Sequence, residues 1–434
     1  MSEFIIDNGV LKKSRGTDLD VIIPDEVTCI GSSAFMANRW VRSITLPKGV
    51  TIIESDAFSI CDRLANITIP EGVTHIGKGA FSNCVNLTSI ALPESLKSIG
   101  GEIFFNCKGL TAVTLPKGLT EIGEKAFLEC KNLKQVDLPD SIPYLSEGLF
   151  QACGKLKTVS IPDSVTSIRP RAFYRCKSIT KINLPQGITD IGYEAFSGCT
   201  KLKTISLPNS LISIGNGSFS HCESIKEIAI PKNVSNIGDN MFFGCINMTT
   251  ATIPDGASSI GEYMFNGCSS LEKVVLHDKV TKIAKGAFMD CINLSSIRIP
   301  LSVTNIDALA FSGCKNLKAV EIPAGVTCIN ASTFSRCSSL ISISIPDGVR
   351  SIGKSAFSGC QSLTSVLIPE SVTSIEESAF FTCNSLSTIK VPASVTNIEK
   401  YAFNASENLI IQTPAGSVAE NYAKENGIRT IANA

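Results

Sequence analysis

The chain has one Trp and three His among 434 residues, and its 39 Lys+Arg are balanced by 39 Asp+Glu. Zero net charge removes the strong global attraction to nucleic acid or anionic membrane that a basic protein carries. The three His, His75, His221 and His277, are scattered, and no C-x-x-C pair occurs, so neither a zinc nor a haem site has a basis. G-x-S-x-G, G-x-x-x-x-G-K and H-E-x-x-H are all missing, which leaves hydrolase, phosphate-loop and metalloprotease chemistry without a foothold. No run of about 18 apolar residues offers a membrane span. The charged fraction is 18%, below the usual quarter.

What is abundant is regular. Length alone suggests about three domains, yet Pro recurs every 23 residues from Pro24 to Pro392, with His277 as the one replacement. Seventeen units follow without linkers. With each Pro as slot 1, slot 12 is Phe in all seventeen units, from Phe35 to Phe403, and slot 7 is Ile in sixteen, with Leu145 as the exception. Slot 15 is Cys in fifteen units, Cys61 to Cys383, with Asn38 and Ser406 at the ends. Slot 18 is always apolar, and the unit reads P-x-x-V-T-x-I-G-x-x-A-F-x-x-C-x-x-L-x-x-I-x-L.

The L-x-x-I-x-L stretch alternates apolar and polar residues, as a short strand with one buried face does. Pro then ends the ladder because it has no N–H. V-T-x-I is β-branched and reads as a second extended piece. A-F-x-x-C spaces Phe and Cys as on one helical turn. The expected fold is an α/β repeat solenoid of seventeen stacked units, each with a short parallel strand and a single helical turn, sharing one core through aligned Phe, Ile and Leu columns. Residues 1–23 read as a β-hairpin cap around Asp7-Asn8-Gly9, residues 24–414 as the repeat, and residues 415–434 as a cap of short helix plus strand. In that last segment Ser417-Val418-Ala419-Glu420 has a capping-box pattern and Gly427 a stop signal.

This unit resembles the BspA-like leucine-rich repeat of bacterial and some protozoan surface proteins. The resemblance rests on slots 1, 7, 12, 15 and 18 and covers residues 24–414. It implies a right-handed, curved solenoid that binds other macromolecules, often as an adhesin, and it carries over no catalytic residue or cofactor. The chain departs from the commoner leucine-rich repeat in lacking its asparagine ladder. Its location is left open: cell surface or secreted if a leader has been removed, cytoplasmic if the chain is complete as given. An intracellular structural or regulatory interaction module is the alternative to a surface scaffold.

The cysteines are expected to be free. Equivalent side chains in stacked units point the same way, whereas a disulfide needs convergent Cβ vectors. Cys29 and Cys328, both in slot 6, are expected to be exposed at the outer edge. Glu54, Glu376 and Glu399 in slot 8, where Gly is usual, read as solvated turn residues.

Partner binding is sought in the middle of the chain. Slots 20 and 22 of the strand, expected on the concave face, carry mostly Ser and Thr and no aromatic residue, a bland surface by interface standards. Between residues 131 and 203, however, 11 basic residues face 6 acidic ones. Lys134, Lys157, Lys203 and Lys226 share slot 19, with Lys181 beside them. They read either as a strip that captures an acidic protein or anionic glycan, or as a solvated lysine edge. The units at 139–161 and 162–184 are also the least regular. Tyr144, Arg171, Tyr174, Arg175 and, one unit on, Tyr193 are expected on neighbouring outer turns, and Tyr and Arg are interface-type residues. The partner is expected to be a protein or a glycan, not a specific nucleic acid, and the protein is expected to be a monomer.

Overall fold

A computed structural model describes residues 3–404 and 408–432. The chain forms two compact units, Met1–Cys222 and Glu223–Ala434. Each is a parallel β-solenoid in which one 23-residue repeat makes one rung.

In both units slots 20–22 of most rungs form a three-residue strand and slots 6–7 a two-residue strand; residues 227–229 form no strand and Ser296–Ile297 is two residues long. Equivalent residues pair in parallel at a constant offset of 23, as in Ser89↔Ala112 and Ser98↔Glu121 of the first unit and Ser342↔Ser365 and Ser351↔Ser374 of the second. Slot 21 points inward and slots 20 and 22 outward, so Val113 is buried between exposed Ala112 and Thr114. Alternation of period two sets this register, because a slip of one residue would turn every Ile and Val into solvent.

The third side of each rung corrects the sequence reading. Slots 8–15 are not a helical turn, and among the described residues the only helix is α1 (Val418–Glu425). A helix needs successive right-handed residues, but here φ is positive at slot 10 in all seventeen rungs and at slot 14 in sixteen. Only nine of these 33 positions are Gly. The alternation sends N–H groups in two directions. Asp56, Phe58 and Ile60 donate to Lys78, Ala80 and Ser82 of the next rung at 2.9, 2.8 and 2.8 Å. Between them, Ala57, Ser59 and Cys61 donate to Glu54, Asp56 and Phe58 of their own rung. The result is a stack of turns bonded like a sheet. A left-handed non-Gly residue costs about 1–2 kcal/mol, comparable with the net worth of a hydrogen bond, so the arrangement rests on the burial beneath it.

That burial is the Phe column. Every slot 12 ring from Phe35 to Phe403 is at most 1% exposed. In the first unit successive rings lie 5.3–5.8 Å apart from Phe35 to Phe219. In the second they lie 5.2–5.6 Å apart from Phe242 to Phe403. The tight turns also explain Gly in slot 8: a Cβ on Gly123 would sit 2.3 Å from the Gly101 nitrogen of the preceding rung. Where slot 8 is Glu, the carboxylate replaces that contact with a bond. Glu54, Glu376 and Glu399 accept the N–H of Ser32, Lys354 and Glu377 at 2.7, 2.9 and 3.0 Å. These glutamates join rungs and are not merely solvated.

All seventeen cysteines are free. The slot 15 thiols are also more than filler. Cys61 Sγ donates to Phe35 O at 3.2 Å, and the same bond recurs from Cys84 to Phe58 and from Cys107 to Phe81. Each such Phe carbonyl therefore accepts the N–H of its own rung's slot 15 and the thiol of the next rung. Slot 6 departs from expectation. Cys29 is 8% exposed, held between Val10 and Ile52 in register, and Cys328 is half-buried with its Sγ 3.1 Å from Ser351 Oγ. Both lie within a strand ladder, where neighbouring rungs cover them.

The ends differ from the repeat. β1 (Glu3–Asp7) and β2 (Val10–Arg15) form an antiparallel hairpin, and β2 continues in parallel onto Cys29–Ile30. In the second unit Ser417 Oγ caps α1 by accepting Glu420 N–H at 3.1 Å, while Glu420 accepts Gly416 N–H at 2.7 Å. Gly427, at φ +67°, ends the helix, with Ile428 N–H donating to Ala423 O at 2.9 Å. Tyr422 closes the Phe column edge-on to Phe403, 5.9 Å between centroids. Ser406, the slot 15 residue of the last repeat, lies outside the described residues.

Two outcomes follow from this core. Phe127→Ala is expected to cost about 3–5 kcal/mol in urea unfolding, and a loss below about 1 kcal/mol would contradict a packed column. Burial pushes the Cys61, Cys199 and Cys383 thiols up to about 12 and raises Cys107 and Cys153 well above the usual thiol value. The unfolded chain ionises near pH ~8.5, so above that it sheds protons that the native state keeps. Each buried thiol then removes up to about 1.4 kcal/mol of stability per pH unit until its folded pKa is reached. Urea midpoints should fall steeply from pH 9 to pH 11, and a flat profile would contradict the thiol column.

Candidate functional site

The residues singled out in the sequence fall into three places. On the stacked turns of the first unit, Arg171 and Arg175 occupy left-handed slots 10 and 14, at φ 56° and 59°. Slot 10 projects along the edge of the turns, and Arg171 Nε meets Glu194 Oε2, slot 10 of the next rung, at 2.6 Å. Its guanidinium carbon lies 5.1 Å from the Tyr193 ring centroid and 6.0 Å from that of Tyr174. Arg175 lies 5.1 Å from the Tyr174 ring centroid. Arg171, Tyr174, Arg175 and Tyr193 are thus brought together. The hydrogen bond to Glu194 raises the Arg171 pKa further, so that charge is permanently held and locally neutralised. Arg175 makes no ion pair among the described residues, and it gives the patch its outward cation.

Tyr144 stands apart from this group. It begins a slot 6–7 strand, paired with Ser167, and its ring is stacked against Arg169, 3.5 Å from guanidinium carbon to centroid. Pro143 before it lacks an N–H, but its carbonyl accepts Thr166 N–H at 2.9 Å, so the irregular rung keeps its register. Arg169 occupies slot 8 and Pro170 slot 9, whose carbonyl accepts Gly148 N–H at 2.9 Å.

The lysines form a separate strip beside the slot 20–22 strands. Lys157 N–H donates to Lys134 O at 2.9 Å, and Lys203 N–H to Thr180 O at 2.9 Å. Lys181 starts the strand that pairs with Thr204–Ser206. All four side chains are exposed. Lys226 is likewise exposed but belongs to the second unit. Among the described residues none of the five forms an ion pair, and no hydrogen bond or ring contact links them to the Tyr–Arg patch.

Neither Glu194 nor Arg169 is among the candidate residues of the sequence, although the repeat locates both. Glu194 lies 23 residues after Arg171, and Arg169 lies 25 after Tyr144, two slots along on the next rung. The reading also passed over the hydroxyl and amide ladders. Thr51, Thr74 and Thr120 in slot 5 donate to the slot 5 carbonyl one rung back. In slot 17, Asn86, Asn132 and Asn247 donate to slot 16 carbonyls one rung back. Slot 17 thereby ties individual rungs to the rung before, without a continuous asparagine ladder.

Among the described residues no group of three or more His, Cys, Asp or Glu could hold a metal ion. No helix among them is long and apolar enough to cross a membrane. Ion pairs as exposed as Arg171–Glu194 are worth about 0–1 kcal/mol. Glu194→Gln is therefore expected to change urea stability by less than about 1 kcal/mol, and a larger loss would recast the patch as structural.

Comparison with known proteins places these observations. The family model for a BspA type leucine rich repeat region matches residues 6–108, 97–224, 189–318 and 281–410. A leucine-rich repeat protein from Bacteroides ovatus is similar at 30% identity, over 95% of this chain and 97% of that one, with a TM-score of 0.71. A leucine rich cell surface protein from Faecalibacterium prausnitzii is similar at 28% identity, over 94% and 95%, with a TM-score of 0.40. The Treponema pallidum leucine rich repeat protein is similar at 28% identity, over 46% and 87%, with a TM-score of 0.37. No protein of curated function matches the chain.

Proposed function

Because the chain belongs to the BspA-type leucine-rich repeat family, we propose that it is a non-catalytic scaffold that binds a macromolecular partner through the Tyr–Arg patch of its first unit. The observation that carries this reading is the preorganised Arg171, held against Glu194 at 2.6 Å beside Tyr174 and Tyr193. Rigid aromatic rings and planar cations lose little freedom on binding and dominate interface energetics. Tyr193 is 40% exposed, so it has surface left to bury. The unpaired Arg175 and the lysine strip favour an acidic protein segment as the partner. Lys134, Lys157, Lys181 and Lys203 supply long-range attraction more than contact energy, and Lys226 extends the same slot in the second unit. Tyr144, stacked under Arg169, is an accessory platform.

A surface or adhesin-type role follows from the family resemblance. The second reading, an intracellular interaction module, is favoured by seventeen cysteines that are all free, since unpaired thiols suit a reducing compartment. Fractionation of the source cells separates the two.

The binding reading is tested by capture of partners from the native setting with the intact protein and a variant. Arg171→Ser, Tyr174→Ser and Arg175→Ser together are expected to weaken binding at least about 100-fold, the scale of one or two interface hot spots. Unchanged binding removes the patch from the function. Lys134→Ser, Lys157→Ser and Lys203→Ser are expected to slow association and flatten its salt dependence while leaving dissociation nearly unchanged.

A further inference from the structure

The turn layer has an open edge at its N-terminal end. In later rungs the slot 9, 11 and 13 carbonyls accept N–H groups from the rung before. In the first rung Ala34 O is met by Ser14 N–H of β2 at 2.8 Å. Among the described residues no backbone donor meets Met36 O. A cleft of about 290 Å³ lies here, lined by Ser14, Gly16, Met36, Asn38, Arg39 and Trp40.

Its walls are built differently from any other rung. Ser14 is 8% exposed, and its Oγ is buried without a hydrogen-bond partner. A buried hydroxyl left unpaired costs about 1–3 kcal/mol, and a ligand that pairs it recovers that cost. Asn38 stands where fifteen later rungs carry Cys. Its Oδ1 accepts the N–H of Trp40 and Val41 at 3.0 and 3.2 Å, which leaves the Nδ2 donors unused. Trp40, the only Trp of the chain, is 49% exposed. The Arg63 guanidinium lies 5.7 Å from its ring centroid, a weak cation–π contact at an exposed site. Arg39 is the one charged residue of the lining, and no Asp or Glu joins it.

We propose that this cleft binds a single pyranose unit that carries a carboxylate, a uronic acid residue of an acidic glycan. A sugar ring presents an apolar C–H face for the indole and hydroxyls that both donate and accept. Ser14 Oγ, Asn38 Nδ2 and Met36 O offer that mixture, and the exposed Arg39 matches the carboxylate as a permanently charged, planar cation. The volume is at the lower end for small-ligand pockets and takes one ring. A peptide strand would need alternating backbone donors and acceptors, and this edge presents one free carbonyl. The cleft lies six rungs from Arg171, roughly 30 Å at ~4.8 Å per rung, so it is a second site, independent of the Tyr–Arg patch.

The lone Trp makes the test direct. Intact protein is titrated with methyl glucuronide, methyl glucoside and a blocked aspartyl dipeptide while Trp fluorescence is read. Glucuronide is expected to give a saturable change with a dissociation constant of about 1 mM, and the other two to bind at least 10-fold more weakly. Ser14→Ala should weaken glucuronide about 5- to 10-fold, and Arg39→Gln should abolish the preference over glucoside, with thermal unfolding raised in the first, where the unpaired hydroxyl is gone, and unchanged in the second. The Arg171, Tyr174 and Arg175 triple variant should respond as wild type, which separates this site from the macromolecular one. No saturable response to glucuronide at about 50 mM, far above the expected constant, overturns the proposal. So does equal binding of glucoside or dipeptide, or two folded variants that bind as wild type.

Discussion

The structure depends on hydrogen bonds between successive rungs on the side where no strand exists. Strands account for five of every 23 residues, and on their own they would leave slots 8–15 as a loop with buried, unpaired backbone. Stacked turns solve this by alternating the sign of φ, so that every second N–H leaves its rung. The Phe carbonyl is the hinge of the arrangement, because it takes one N–H from its own rung and one thiol from the next. Packing enforces the pattern: a Phe, a Cys and a rung-to-rung bond recur together because each lies where the other two need it.

Much of this was legible in the sequence, and the reasons are specific. Phe58, Ile53, Leu64 and Cys61 recur at fixed slots because a core repeated at each rung tolerates one choice at each place. The repeat length, both strand positions and the free cysteines could be read from that alone. The turn layer could not. A-F-x-x-C has helical spacing, and nothing in the residue types marks Asp56 or Ile60 as left-handed, since 24 of the 33 such positions are not Gly. The conformation is imposed by the neighbouring rung. The fate of Cys29 was hidden for the same reason, because its cover comes from β2 and from Ile52.

The candidate site was partly legible. Arg171, Tyr174, Arg175 and Tyr193 were marked by their departure from the repeat, and the register brings them together. Tyr144 was placed with them because it shares the irregular stretch, but slot 6 lies on another side of the rung from slots 10–14, and it stacks on Arg169 instead. Glu194 has nothing in its residue type to mark it, and only its position one rung beyond Arg171 gives it a partner. Exposed slots are free of core constraints, so departures there record either drift or use, and only contact with neighbours distinguishes the two. In Trp40 and Asn38 the departure coincides with the end of a ladder, where no rung precedes.

The central claim is that slots 8–15 are as firmly bonded as the strands. Native-state amide hydrogen exchange tests it most directly. The account predicts that the amides of Phe104, Asn106 and Phe127, in slots 12, 14 and 12, exchange as slowly as those of the strand residues Val113 and Val136. Exchange of those turn amides at the rates of an unstructured loop, with the strands still protected, would contradict it.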